Sequence, residues 1–434
     1  MMTSPSVKDL PDWFREGYGN VWLPYTQMQT AEDALPVVGT EGVTLELADG
    51  TKLIDGVASW WTACHGYNNP RMQEQMIAQV KNMSHVMLGG LLHEGAATLA
   101  RRLADLLPGD LNHVFFSESG SVSVEIALKM AVQYWMNKGE TGHQRFVCFQ
   151  SGYHGDTTAA MSVSNSGGDL ENEGGMHKAF SGFLQQQFLR PLPETPTEMA
   201  EFDAFLAAHK DDIAGVVMEP LIQGAGGMKF HGADILAEIS ASCARHDVLL
   251  ILDEIFTGFG RTGTMFACEQ AGITPDIICL GKALTAGTVA MAATVATDKV
   301  YGAFLSDDPD MAFMHGPTYM ANPLACAAAN ASLDIFRDEP VLEQVKRIEG
   351  HLNQSLEQFR ELPGVVDVRV KGAVGVIQMK EIKDPAAMRA RFAREGVWIR
   401  PLGDVIYLTP SFTIESHELA ALTQAIDKVL NSAD

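Results

Sequence analysis

Two side chains able to do chemistry close apolar runs in the middle of the sequence: Asp253 ends "VLLILD" and Lys282 follows "IICLG". They stand 282 − 253 = 29 positions apart, and Lys282 is the only lysine between Lys229 and Lys299. A lysine at the end of a buried strand has two readings. It carries its ammonium to water along its stem, or it is held uncharged, where the amine condenses with an aldehyde and then moves a proton. Asp253 likewise either caps the turn that follows it or pairs with a cationic ring nitrogen.

A third feature is the turn "SESGSV", residues 117–122, at the start of a helical pattern. It reads as an ordinary N-cap or as an anion site, built from successive backbone N–H groups, the hydroxyls of Ser119 or Ser121 and the positive end of the helix dipole. Each signal alone is weak. An anion cradle, a partner for a ring nitrogen and an isolated lysine on neighbouring strand ends together describe a site for pyridoxal 5'-phosphate.

The elements that must position these groups are legible as short apolar runs. "AGVVMEP" from 214, "VLLILDEI" from 248 and "DIICLGKAL" from 276 have the unbroken hydrophobicity of parallel strands buried on both faces. Their ends carry Glu219, Asp253 and Lys282, and ligands of open α/β sheets sit beyond those carboxyl ends. Upstream, "HVFFSESGSVSVEIALKMAVQYW" predicts a strand, a turn and a helix. That helix places Val124, Leu128, Ala131 and Trp135 on one face and pairs Glu125 with Lys129 at i,i+4.

Segment 164–176 and the proline-rich stretch from 190 read as surface loops. A helix from about 341 carries Val345, Ile348, Leu352, Leu356 and Phe359, and Pro363-Gly364 stops it. The alternation of Val366, Val368 and Val370 then predicts a strand buried on one face. The fold class expected is α/β, divided into an N-terminal segment (1–65), a large domain (66–318) and a smaller α+β domain (319–434).

With 434 residues, 46% of them hydrophobic, the chain can bury a large core. Its 31 basic and 54 acidic residues leave a net charge of −23, which opposes binding to nucleic acid or an anionic membrane. No apolar run approaches membrane-spanning length and the N-terminus lacks a secretory pattern, so a cytoplasmic location is expected. The six cysteines show no metal-ligand spacing; reduced thiols and no metal are expected.

"LILDEIFTGFGRTGTMFACE" followed by "PDIICLGKAL" resembles the signature of class III aminotransferases, a subgroup of the fold type I pyridoxal phosphate enzymes. The resemblance implies a large, mostly parallel-sheet domain beside a smaller α+β domain. It implies that Lys282 holds the cofactor covalently, Asp253 contacts the pyridine nitrogen, Gly120 and Ser121 hold the phosphate, and the Tyr153 ring of "SGYHGD" stacks on the cofactor. It also implies that Pro317 and Thr318 of "HGPTYMANP" reach the phosphate in a neighbouring subunit, making a homodimer with sites at its interface.

Further stretches, among them "WLPYTQM", "DGVASWWTACHGYNNP" and "GVWIRPLGDVIYLTP", are similar to the branch of the family that serves biotin synthesis, from about residue 21 to 410. That likeness implies transfer of an amino group from S-adenosylmethionine to 8-amino-7-oxononanoate. Tyr25 would then be catalytic, Arg400 would bind the distal carboxylate, and Tyr25, Trp60, Tyr153 and Lys282 would line the pocket with Gly316 beside it. Aromatic walls ending in a planar bidentate donor suit a long apolar chain with one terminal carboxylate. Trp60 and Trp61 also read as core filler, Arg261 as half of a structural ion pair, and His154 and Asp156 as partners of Tyr153 or plain turn residues. Lysine-donor relatives, ω-amine transaminases and aminomutases share the core motif, so the donor rests on Tyr25 and Trp60.

Overall fold

A computed structural model describes residues 10–165 and 175–431. The N-terminal segment forms an antiparallel set of β1 (Val37–Glu41), β2 (Thr44–Leu47) and β3 (Lys52–Asp55). A seven-stranded sheet follows, built from β4 (Leu111–Ser117), β5 (Arg145–Phe149), β6 (Phe188–Arg190), β7 (Ile213–Met218), β10 (Leu249–Asp253), β11 (Ile277–Leu280) and β12 (Ala292–Thr297). Between β7 and β10 lies a small hairpin, β8 (Ile222–Gln223) with β9 (Lys229–Phe230). The chain ends with β13 (Val365–Lys371), β14 (Val374–Met379), β15 (Val397–Trp398) and β16 (Val405–Leu408).

The large sheet has the order β4-β12-β11-β10-β7-β5-β6, and β12 alone runs against its neighbours. All residues of β7, β10 and β11 are buried, as their unbroken apolar runs require. These three strands pair in parallel, so Glu219, Asp253 and Lys282 leave the sheet on one side. The helix Gly120–Asn137 buries Val124, Leu128, Ala131 and Trp135 against it. The expected Glu125–Lys129 pair does not form. Glu125 instead accepts from the N–H groups of Ala159 and Ala160, and Lys129 reaches His315 and the Met314 carbonyl.

β15 pairs in parallel with β3, setting Val397 opposite Ile54 and Trp398 opposite Asp55, so the N-terminal strands and a C-terminal one share a sheet. The helix Pro323–Asp338 packs on the helices Pro70–Asn82 and Glu94–Leu106 and against the turn that begins at Lys282. β13, β14 and β16 form a separate antiparallel sheet under the helix Val341–Leu356, whose Val345, Ile348, Leu352 and Leu356 are buried.

Two local expectations need correction. Val366 is 65% exposed, because the register of β13 slips between Val365 and Asp367 and turns that side chain outward, while Val368 stays buried. The proline-rich stretch is only in part a loop: Thr195 caps a helix, Pro196–His209, in a reciprocal box with Glu198. Most of the loop expected at 164–176 lies outside the described residues. Within it, Ser164 and Asn165 are buried, and Gly175 opens a short 3-10 turn. No helix among the described residues is long and apolar enough to cross a membrane.

Candidate active site

Lys282 begins a single 3-10 turn after β11 and adopts a left-handed backbone, φ 45°. Its Nζ lies 5.0 Å from the centre of the Trp61 ring. The amine is thus turned against an aromatic wall. Burial pushes its pKa below the ordinary lysine range, with the charges of Asp253 and Glu219 acting in the other direction.

Asp253 caps the turn that follows it, the first of its two sequence readings, and meets a histidine besides. Its Oδ1 accepts from Ile255 N–H at 3.1 Å, capping the turn, and its Oδ2 accepts from His154 Nδ1 at 2.9 Å. His154 is buried, which disfavours its charge, but the hydrogen bond to Asp253 and the charges of Asp253 and Glu219 prevail and raise its pKa. Glu219 takes the N–H groups of Tyr153 (3.0 Å) and Gly224 (2.8 Å), and burial pushes its pKa up to about 7. It holds the Tyr153 loop in place.

At the helix start, the Ser119 hydroxyl accepts from Val122 N–H at 3.3 Å, leaving the N–H groups of Gly120 and Ser121 in the unsatisfied first turn. Ser121 Oγ accepts from Asp156 N–H at 3.1 Å. Gly155 crosses directly above with φ 123°, and a Cβ there would sit 2.2 Å from Ser121 Oγ. Close approach requires glycine at this position.

Four of the expected substrate residues come together. Tyr25, also left-handed at φ 52°, donates its hydroxyl to Asp156 Oδ2, and the Tyr153 hydroxyl donates to the same oxygen at 3.0 Å. The Tyr25 ring meets Trp60 edge-on at 6.2 Å. The Arg400 guanidinium lies over Trp60, 4.8 Å from the ring centre, and among the described residues no carboxylate pairs with it. Burial lowers its pKa, and the Arg389 charge adds to the effect.

The double tryptophan forms one turn of left-handed helix: Ala58, Ser59, Trp60 and Trp61 have φ of 46°, 46°, 56° and 73°. Such a backbone costs an L-residue roughly 1–2 kcal/mol. Trp60 is exposed, whereas Trp61 is buried between Phe256, 4.4 Å away, and Tyr407. The core-filler reading therefore holds for Trp61, which also faces the lysine, and fails for Trp60.

Arg261 does not form the expected ion pair. Fully buried, it donates to the carbonyls of Ala373 (3.2 Å) and Pro410 (2.7 Å), with its guanidinium 4.5 Å from the Phe412 ring centre. Burial pushes its pKa down to about 10. Gly316, Pro317 and Thr318 lie in a loop held to the helix Gly120–Asn137 through Lys129 and Gln133. Among the described residues no hydrogen bond ties these three to the side chains above.

Three contributors were not foreseen. His177 donates from Nε2 to Asp156 Oδ1 at 3.0 Å and is chiefly responsible for holding the Asp156 pKa below the carboxylate range. Asp55 and Tyr67 hold the left-handed turn. Only the acid two residues before "VAS" hinted at a cap.

An amine with a depressed pKa, an open helix N-terminus, a buried carboxylate with lone pairs to spare and a tyrosine ring fit an aldehyde-bearing pyridine phosphate. The comparisons with known proteins agree. The profile described as aminotransferase class-III matches residues 26–430. A Corynebacterium glutamicum protein named adenosylmethionine-8-amino-7-oxononanoate aminotransferase is 41% identical, over 98% of each chain. A crystal structure with the same name from Methanocaldococcus jannaschii superposes with a TM-score of 0.91 at 33% identity, covering 97% of this chain and 98% of that one. An amine transaminase from an uncultivated Pseudomonas species, solved in a PLP-bound form, gives 0.85 at 28% identity, covering 94% and 98%. The chain thus belongs to the class III aminotransferases, pyridoxal phosphate enzymes of fold type I.

Proposed function

We propose that this enzyme transfers the amino group of S-adenosylmethionine to 8-amino-7-oxononanoate, giving 7,8-diaminononanoate for biotin synthesis. The observation that carries the substrate assignment is Arg400, a guanidinium laid on Trp60 beside Tyr25 with no carboxylate partner among the described residues. A partly desolvated arginine of this kind is complementary to the terminal carboxylate of a long keto acid. The aromatic faces of Tyr25 and Trp60 suit the sulfonium cation of the donor.

Pyridoxal phosphate, when bound, supplies an aldehyde for the amino group and an electron-withdrawing ring. Lys282 would hold it, with Gly120 and Ser121 at its phosphate, Asp253 at its ring nitrogen and Tyr153 against its face. Lys282 Nζ takes the α-proton of the donor and later returns a proton, a role for which its depressed pKa fits it. The hydrogen bond from His154 fixes the Asp253 carboxylate, which would favour the protonated form of a bound ring nitrogen. Asp156 fixes the two tyrosine hydroxyls and so the pocket wall. Both substrates use one pocket in turn.

The reading includes a cytoplasmic homodimer in which Pro317 and Thr318 serve the partner's phosphate site, with Gly316 beside a substrate pocket. The likeness of "HGPTYMANP" to the corresponding stretch of the family supports it.

Two sequential additions test the reaction. S-adenosylmethionine should abolish the visible band of the bound cofactor, and 8-amino-7-oxononanoate should restore it. Bleaching by lysine instead would change the donor; no recovery with the keto acid would overturn the acceptor.

A further inference from the structure

The left-handed turn at Ala58–Trp61 is held by one buried carboxylate. Asp55, the last residue of β3, accepts from Val57 N–H through Oδ1 and from Ser59 N–H through Oδ2, both at 2.8 Å. The Tyr67 hydroxyl donates to Oδ2 at 2.6 Å and also meets Ser59 Oγ. Among the described residues no cation stands against Asp55, so its hydrogen bonds are spent on the turn and on the tyrosine that braces it. A carboxylate buried this way needs those donors. The turn in its turn needs the carboxylate, because four successive left-handed residues without glycine persist only where neighbours over-determine them.

The handedness has a geometric consequence. Trp61 points inward to Lys282 and Phe256, and its immediate neighbour Trp60 points outward to Tyr25 and Arg400. Two adjacent side chains thereby serve opposite ends of the site. Arg400 comes from the other side of the same junction: β15 runs parallel to β3, places Trp398 opposite Asp55, and delivers Arg400 two residues later. Asp55 is therefore the fixed point from which the Trp60 platform is measured against the arginine.

We infer that Asp55 is a positioning residue for the amino acceptor: it locks the left-handed turn so that Trp60 holds Arg400 in register with the substrate carboxylate. The inference rests on the reading of Arg400 given under the proposed function. A purely structural cap would change the amount of folded enzyme and leave the Michaelis constants of the survivors alone. A residue that positions Trp60 against Arg400 raises the constant of the keto acid, which uses both side chains, well above that of the donor, which meets Trp60 but not Arg400.

The test uses the full-length, cofactor-loaded enzyme. Asp55→Asn keeps the shape but presents an NH2 group to backbone donors. It should raise KM for 8-amino-7-oxononanoate about tenfold, with KM for S-adenosylmethionine changed less than about threefold. Tyr67→Phe, which leaves the carboxylate in place, should show the same split at a few-fold, and keeps the test alive where Asp55→Asn does not fold. A lowered melting temperature with both constants unchanged in the folded variants overturns the inference and makes Asp55 a structural cap. Failure of the wild type to turn over the keto acid would overturn the functional reading and this inference with it; success with no split counts against Asp55 alone.

Discussion

The Tyr25 hydroxyl donates to Asp156 Oδ2 at 2.5 Å, joining residues 131 positions apart, and Tyr153 donates to the same oxygen. One carboxylate oxygen thus sets two walls of the pocket, while His177 holds the other oxygen. In Asp156→Asn, an amide NH2 in the Oδ2 position would face two hydroxyls, and a hydrogen bond to a charged acceptor is worth roughly 1.5–3 kcal/mol. The rate of the donor half-reaction should fall by roughly 10- to 100-fold, the same energy expressed as a rate. Stopped-flow bleaching of the cofactor band measures it; an unchanged rate would show that the tyrosines do not depend on Asp156.

Arg400→Ala should weaken the keto acid much more than the donor, by about 2–5 kcal/mol, since the substrate carboxylate would be desolvated without a partner. Arg400→Lys should recover only part of this, because an ammonium neither stacks on Trp60 nor binds a carboxylate bidentately. Steady-state KM values for both substrates decide the matter. Equal losses would mean that Arg400 merely supports the Trp60 turn.

Lys282 carries a pH prediction. Burial lowers the folded pKa, so the neutral amine is available at lower pH than in free lysine. Capture of pyridoxal phosphate by cofactor-free protein should accelerate as pH rises, with a midpoint below the ordinary value of about 10.4. The sign for stability follows: the protonated amine is penalised in the fold, so cofactor-free enzyme gains stability as pH rises through the lowered pKa towards the unfolded one. Lys282→Ala should lose both the capture and this slope. A capture midpoint at or above 10.4 would contradict the desolvation argument.

Gly155→Ala should destabilise the enzyme by about 1–3 kcal/mol and loosen the cofactor. The new methyl group would meet Ser121 Oγ, and φ 123° disfavours any side chain. Thermal melting gives the first effect, and the dissociation constant of pyridoxal phosphate gives the second. Normal retention of cofactor would show that Ser121 can move without cost to the phosphate site.

The legible part of the site is the part borne by strands. Asp253 and Lys282 close apolar runs whose burial on both faces could be read directly, and the Gly-Ser turn before a periodic helix marked Ser119, Gly120 and Ser121. The Ala58–Trp61 turn was opaque for a physical reason. Left-handed backbone is signalled by glycine, and "ASWW" contains none, so its conformation depends on Asp55 and Tyr67. His177 gave no local signal, since its meaning comes from a carboxylate 21 positions away. The Glu125–Lys129 pair failed because open backbone N–H groups at Ala159 and Ala160 offered Glu125 a better-placed partner. Arg261 found carbonyls where an acid was expected, because the segments that cross it at Ala373 and Pro410 come from far along the chain.

The pairing of β3 with β15 also governs how the protein is made. Asp55 and Trp398 are 398 − 55 = 343 positions apart. At a ribosomal rate of about 5–20 residues per second, the earlier strand waits roughly 17–70 s for its partner. During that interval one edge of β3 offers unpaired backbone groups, a template for association with other nascent chains. Occupancy of the nascent chain by a chaperone until β15 emerges would register the delay. The junction that carries Trp60 and Arg400 is completed late, after the strands that carry Asp253 and Lys282 have already been synthesised.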